Sequence, residues 1–353
     1  MTSAKPVPVF DGHNDVLLKL RAAGGRPATR LFREGSDFHV DLPKARAGGF
    51  AGGFFAIFVP SAMDLDLMKA EMDKSEYDLP LPDPIPQEAA LPVVMEMAAL
   101  LLQLEAEGAL RICRSVADIR AAMGAGEIAA VMHIEGAEAI DPDFHALDVL
   151  HAAGLRSLGP VWSRPTIWGE GVPFRYPSTG DVGPGLTGDG ERLVRRCDAM
   201  GIMIDLSHLN EKGFWDVAEI SEKPLIATHS NAHALCPQAR NLSDAQLDAV
   251  ARSGGIVGLN FATGFLRRDG QMRPEMPIAV MLEHLDHMIA RMGEDHVALG
   301  SDFDGAVVPE DIGSVAGLPA LIEAMCAHGY SEARIEKIAH GNWLRVLETT
   351  WGG

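Results

Sequence analysis

The chain has 353 residues, of which 47% are hydrophobic and 22% charged, and a formal net charge of −19. That composition supports a large core and argues against disorder. So acidic a chain disfavours nucleic acid and anionic membrane surfaces as partners, since both are polyanions.

The first residues, MTSAKPVPVFDGHND, lack the basic start, apolar run and cleavage site of a secretory signal. No apolar stretch reads as long enough to span a bilayer, and the final ETTWGG carries no anchor tail. A cytoplasmic protein is expected. Cys113, Cys197, Cys236 and Cys326 are widely spaced, with no CxxC pair. Reduced, mostly buried thiols are expected rather than a disulfide framework or a thiolate metal site.

Short apolar runs alternate with helical patterns along the chain. Strand-like runs fall at 7–10, 53–59, 129–134, 157–162, 202–207, 224–228, 255–261 and 297–300. They are almost wholly apolar, as parallel strands covered on both faces require. Residues 60–90 read as an irregular insertion after the second run, partly helical and then extended through DLPLPDPIP. Helical spacing follows at 88–107 and again at 147–154. A long Gly/Pro-rich loop covers 164–190. Helices are then expected at 190–201, ending on a glycine, and at 243–253, opening with the capping-box pair Ser243 and Gln246. Further helices are predicted at 278–292, 318–328 and 331–349. Eight strands alternating with helices fit either a closed barrel or a doubly wound open sheet.

The polar residues favour the barrel. The first strand runs into Asp11-Gly12-His13-Asn14-Asp15, where His13 and Asp15 project to one side of an extended chain. A turn in which Asp11 and Asp15 cap backbone amides is the bland alternative. The third strand ends His133-Ile134-Glu135-Gly136, and an unpaired Glu135 there would be costly to bury. His133 reads as a satisfied near-core histidine. The fifth and sixth strands end at His208 and His229, and the eighth leads into Asp302, with Asp304-Gly305 read as a turn. All these residues sit at carboxyl ends of strands. Those ends converge at the mouth of a barrel but would be spread across an open sheet. A single (β/α)8 TIM barrel over 1–353 is therefore predicted. His13, Asp15, Glu135, His208, His229 and Asp302 are too many ligand-type groups for one zinc ion, which suggests two metals bridged by a carboxylate such as Glu135. A bridging water would lose its proton near neutral pH and become the nucleophile.

At these positions the sequence resembles the membrane dipeptidase (renal dipeptidase) family of amidohydrolase-like metallopeptidases. The matching pieces are DGHND (11–15), HIEG (133–136), DLSH (205–208), THS (228–230), ARN (239–241) and GSDFDG (300–305), in the family's order across nearly the whole chain. The resemblance implies a zinc-dependent dipeptidase on a TIM barrel. His13 and Asp15 would hold one zinc, His208 and His229 the other, and Glu135 would bridge them. Asp302 would be the general acid/base, and Arg240 would hold the substrate's terminal carboxylate; without the resemblance Arg240 reads as a surface arginine. Substrates would be small dipeptides with a small or apolar C-terminal residue, with the D configuration often tolerated there, and relatives are often homodimers. One departure stands out. Aligned through Arg156, Trp162 falls where the family commonly places a carbonyl-polarising histidine. Its indole N–H can donate one hydrogen bond but bears no charge. Arg164 and His133 are other candidates for that task, and Trp162 also reads as a pocket-wall residue.

Two other readings stay open: an amidohydrolase acting on N-acyl amino acids or lactones, and a non-catalytic metal-binding barrel. Manganese or cobalt would also suit these N/O ligands. The glycine-rich 183–190 lacks a phosphate-loop lysine and reads as a loop approaching the pocket. His284 and His287 read as a solvated helix face. Met63, Met68 and Met72 read as core or lid packing, and His340 and Asn342 as structural.

Overall fold

The computed structural model describes residues 6–61 and 65–352. Among them, eight parallel strands alternate with helices around a ring: β1 (Val9–Asn14), β2 (Phe50–Phe58), β3 (Ala129–Glu135), β4 (Leu155–Gly159), β5 (Met203–Ile204), β6 (Ile226–Ser230), β7 (Ile256–Leu259) and β8 (Val297–Leu299). β1 to β5 form one continuous ladder and β6 to β8 another. Two parallel bridges join them, Asp205 to Ile226 and Asn14 to Phe303. The seam between β8 and β1 is further sealed by the Asp11 carboxylate, which accepts from the Ser301 amide and hydroxyl, both at 2.7 Å. The architecture is thus the (β/α)8 barrel, not an open sheet.

Period-two alternation divides each strand between two cores. Phe10, Phe54, Val131, Met203, Ile226, Ile256 and Ala298 fill the barrel interior. Trp343, from the helix Asn342–Trp351, plugs the base and donates its indole N–H to the Leu299 carbonyl at 3.0 Å. Outward-facing residues such as Ile57, Met132 and Val257 join the larger layer beneath the helices. The interior is narrow: a Cβ at Gly12, Gly258 or Gly300 would lie 2.2, 2.0 or 1.9 Å from the Thr228 carbonyl oxygen. Glycine is required there by close approach.

The insertion after β2 contains the helix Leu65–Met72 and the short strand Tyr77–Asp78, which pairs antiparallel with Arg175–Tyr176. The Tyr77 hydroxyl donates to the Gly270 carbonyl at 2.9 Å, and the Met272 amide donates to the Met72 carbonyl at 3.0 Å. The insertion is thereby tied to loops following β4 and β7 and roofs one side of the mouth. Met63 lies outside the described residues; Met68 and Met72 pack in this roof.

Several expectations change. The helix Gln87–Ala106 is 20 residues long and apolar enough, by length and composition, to cross a bilayer. In this fold it packs against β2 and the helix Val16–Ala22, burying Val94, Met97, Leu101 and Leu104. The predicted helix over 331–349 is broken by a π-turn at Lys337–Gly341. That turn adjoins Asn342, whose amide donates to the Glu294 and Val297 carbonyls, and Trp343, which reaches the barrel base. His284 is buried, not solvated: its Nε2 bonds the Leu266 carbonyl at 2.9 Å and its Nδ1 accepts from the Ala232 amide. The loop over 183–190 does not reach the mouth. It packs on the helix Glu211–Ile220, with the Leu186 amide donating to Asp216. Cys113, Cys197 and Cys236 are buried, whereas Cys326 is exposed; all four are free thiols.

Candidate metal centre

The inward series on β3 climbs from Ala129 and Val131 in the plug to His133 and Glu135 at the mouth. Glu135 becomes the hub. Its Oε1 lies 2.9 Å from His208 Nε2, 3.5 Å from His229 Nε2 and 3.7 Å from His13 Nε2. His13 Nε2 is 3.3 Å from Asp15 Oδ2, and the Nε2 atoms of His208 and His229 are 3.2 Å apart. A register irregularity between Asp11 and Asn14 accompanies the turn of β1 toward this cluster. The structure therefore gathers His13, Asp15, Glu135, His208 and His229 around one point, with His13–Asp15–Glu135 and Glu135–His208–His229 as two overlapping donor sets.

The electrostatics are those of a cation site. Burial alone would lower the pKa of His13, but Glu135 and Asp15 hold it up at about 10. Burial pushes Glu135 well above the usual carboxylate range, opposed by His13 and reinforced by Asp15 and Asp302. Burial drives His208 and His229 well below the ordinary histidine value, so each is a neutral imidazole with one nitrogen lone pair to offer. Both ring nitrogens of buried His13 lack a hydrogen-bond partner. Buried polar atoms without partners are rare and call for one. Imidazole and carboxylate donors in this arrangement fit divalent ions of the zinc type.

Partners behind the donors fix their orientation. His208 Nδ1 meets Ser163 Oγ at 2.9 Å. His229 Nδ1 meets Thr228 Oγ1 at 2.7 Å, and that hydroxyl donates to Asp205 Oδ2 at 2.6 Å. Asp205 also accepts from the Ser207 hydroxyl and lies 3.6 Å from His133 Nε2. His133 Nδ1 is engaged with Ser157 Oγ at 2.8 Å, below the mouth. Asp205, Thr228 and Ser163 were not singled out from the sequence, although DLSH and THS placed two of them beside donor histidines.

Asp302 follows β8 with φ +60° and accepts from Asn260 Nδ2 at 3.0 Å through Oδ2. Burial raises its pKa; Asp15 adds to the rise while His13 opposes it. Gly305 lets this turn lie close, since a Cβ there would come within 2.2 Å of Asp15 Oδ2 and 2.6 Å of Asp302 Oδ1. Asp304 turns away and accepts from the His39 and Val40 amides at 2.8 and 3.0 Å.

Arg240 is buried, not on the surface. It donates to Ser230 Oγ at 2.9 Å, to the His229 carbonyl at 3.0 Å and toward His208 Nδ1 at 3.2 Å. Burial lowers its pKa to about 10, so it stays protonated. Arg164 is fully buried and committed elsewhere: Nε bonds Glu138 at 2.9 Å, and its other nitrogens bond Ser61 and the Val59 carbonyl. Neither Arg164 nor His133 lines the cavity above the donors, and Arg240 lies just behind its wall, against His208 and His229. Trp162 does line it. That cavity measures about 700 Å³, with Asp15, Glu135, His208 and Asp302 on its floor and Phe58, Trp162, Phe174, Phe265 and Met272 on its walls. The Trp162 ring packs 5.1 Å from Phe58, 5.6 Å from Phe174 and 5.7 Å from His208, centroid to centroid.

A barrel whose mouth gathers histidines and carboxylates defines a metal-dependent hydrolase. Comparison with known proteins narrows the class. Residues 3–351 match the model of the membrane dipeptidase family (peptidase family M19), and the chain belongs to that family. It is a metallo-dipeptidase. A Rhodobacter sphaeroides metallopeptidase, solved with a phosphinate mimic of the dipeptide L-Ala-D-Ala, is 54% identical with a TM-score of 0.95, covering 98% of this chain and all of that one. A Klebsiella pneumoniae protein from the pqqA 5′ region is 48% identical over 261 residues, 73% of this chain and 96% of that protein. A dipeptidase of Claviceps purpurea is 28% identical over 344 residues, 96% of this chain and 76% of that protein.

Proposed function

We propose that this chain hydrolyses the amide of small dipeptides, including those with a C-terminal D residue, using two zinc ions. One observation carries the reading: a single carboxylate oxygen, Glu135 Oε1, faces three imidazole Nε2 atoms within 3.7 Å, one of them on His13, whose ring nitrogens make no hydrogen bond. In this reading His13 and Asp15 hold one ion, His208 and His229 the other, and Glu135 serves both. Bound ions supply Lewis acidity toward the scissile carbonyl and bring the pKa of a water toward neutrality.

The chain's own residues do the rest. Asp302, with its raised pKa, takes a proton at a carboxylate oxygen and returns it to the leaving amine. Arg240 holds the substrate's terminal carboxylate. Its Nε now points at His208 Nδ1. Were His208 to hold an ion through Nε2, its Nδ1 would carry the proton and donate to Ser163 Oγ, and Arg240 Nε would need another acceptor, such as a substrate carboxylate. The Trp162 indole N–H, which meets no protein acceptor among the described residues, is available to the substrate, and its ring shields the reaction from water.

Metal analysis together with turnover tests the reading. Zinc-reconstituted protein should bind two ions per chain and cleave L-Ala-D-Ala. One ion per chain, or two ions without turnover on any L-L or L-D dipeptide, would refute it.

A further inference from the structure

The cavity has an asymmetric charge distribution that the hydrolytic residues do not use. Arg240 follows β6. Two lysines line the cavity from the other side of the ring: Lys19 on the helix Val16–Ala22 after β1, and Lys69 on the helix Leu65–Met72 after β2. In an eight-stranded barrel β1 and β2 stand across the mouth from β5 and β6. Neither lysine has a carboxylate partner among the described residues, in a chain of net charge −19. Neighbouring charges are otherwise engaged: Arg21 pairs with Glu96, Lys44 with Asp41, and Asp304 with two backbone amides. Glu310 is the one unpaired carboxylate on this rim among the described residues, and it is exposed. Both lysines also direct their field at His39, which, together with burial, keeps that imidazole neutral. The wall toward β1 and β2 therefore carries two exposed ammonium groups among apolar residues such as Leu18, Phe58 and Met68, while the wall on the Phe174 and Trp162 side is apolar.

Resting on the dipeptidase reading, we infer that Lys19 and Lys69 select dipeptides whose amino-terminal residue carries a carboxylate side chain, aspartyl or glutamyl. With the terminal carboxylate held at Arg240 and the scissile bond over the donor cluster, the amino-terminal residue extends toward β1 and β2. An acidic side chain there meets two unpaired ammonium groups; a neutral one of the same shape gains nothing from them. Exposed pairs are weak and screened, so the preference should be modest, about threefold to tenfold for the two lysines together.

The test compares kcat/KM for L-Glu-D-Ala and L-Gln-D-Ala, isosteric substrates differing in one charge, on the zinc-loaded enzyme. The Glu/Gln ratio should exceed about three at low ionic strength, shrink toward one in ~0.5 M salt, and fall below one in the Lys19→Glu/Lys69→Glu double variant. A wild-type ratio at or below one, or a ratio the double variant does not move, overturns the inference while leaving the dipeptidase reading intact. Turnover of neither peptide by wild type overturns both.

Discussion

Replacing Asp302 by asparagine isolates proton transfer from everything else at the site. The backbone there has φ +60°, a conformation asparagine tolerates about as well as aspartate. The amide oxygen can still accept the Asn260 hydrogen bond now made at 3.0 Å. The side chain keeps its volume beside Gly305, where space is tight. Fold and donor cluster should therefore survive, and the variant loses only the capacity to take up and return a proton. General acid–base groups contribute about 10²- to 10⁴-fold, or roughly 3–5 kcal/mol of barrier. The assay is kcat on L-Ala-D-Ala for zinc-loaded wild type and variant, with metal content and melting temperature measured on the same samples. Unchanged metal content and a kcat reduced at least ~100-fold is the expected outcome. A kcat within about tenfold of wild type, at full metal content, would remove Asp302 from the proton path. Asp302→Ala is the poorer probe, because alanine at positive φ adds about 1–2 kcal/mol of strain to any catalytic loss.

Three further outcomes follow from the surrounding contacts. Thr228→Val removes the hydroxyl linking His229 Nδ1 to Asp205 and should weaken metal binding about 10- to 100-fold, read by competition with a chelator; unchanged affinity would show that the relay does not orient His229. Arg240→Met should raise KM for dipeptides far more than it alters metal content, and an unchanged KM would leave the terminal carboxylate to another group. His39 gives a pH signature. Burial, then Lys19, Lys44 and Lys69, lower its folded pKa from 6.5 to about 4, and its Nδ1 accepts from the Asp304 amide at 2.9 Å. The folded state thus refuses a proton that the unfolded chain accepts below pH 6.5, so this contribution is intact above that pH and is lost as pH falls toward 4. Its size is at most about 3 kcal/mol. The melting-temperature gap between wild type and His39→Gln should narrow from pH 7.5 to 5; a constant gap would contradict the assignment.

Much of the barrel was legible because its strands are buried on both faces and so read as continuous apolar runs. Residues 278–292 and 318–328 were legible as helices because one apolar stripe repeats along each of them, and both ranges match the observed bounds. The ends of strands were harder to read. β1 runs on through Asp11, Gly12 and His13 to Asn14, residues that look like a turn until the pairing of Asp11 with Ser301 supplies the reason for burying them. β4 stops at Gly159 and releases Trp162 into the mouth. Short helices such as Val16–Ala22 and Leu42–Gly48 carry too few turns to show a period. The apolar Gln87–Ala106 helix shows the limit of hydropathy: length and composition do not distinguish a helix covered by a barrel from one covered by lipid.

At the site, the donors were visible because histidine and carboxylate at the ends of apolar strands have a cost that something must offset. The groups behind them were not, since Ser163, Thr228 and Asn260 are ordinary residue types whose roles exist only once three strands meet. Asp205 is the instructive case. It is buried and its pKa is lowered even though burial, the largest influence, would raise it; His133 and the hydroxyls of Ser207 and Thr228 overcome that influence. The aspartate therefore stays ionised beneath the cluster and reaches His229 through the Thr228 hydroxyl. In sequence Asp205 looks equivalent to Asp15, yet one is surrounded by donors that hold it in place and the other faces His13 and the cavity. What each carboxylate meets is set by the closure of the barrel, not by either motif alone.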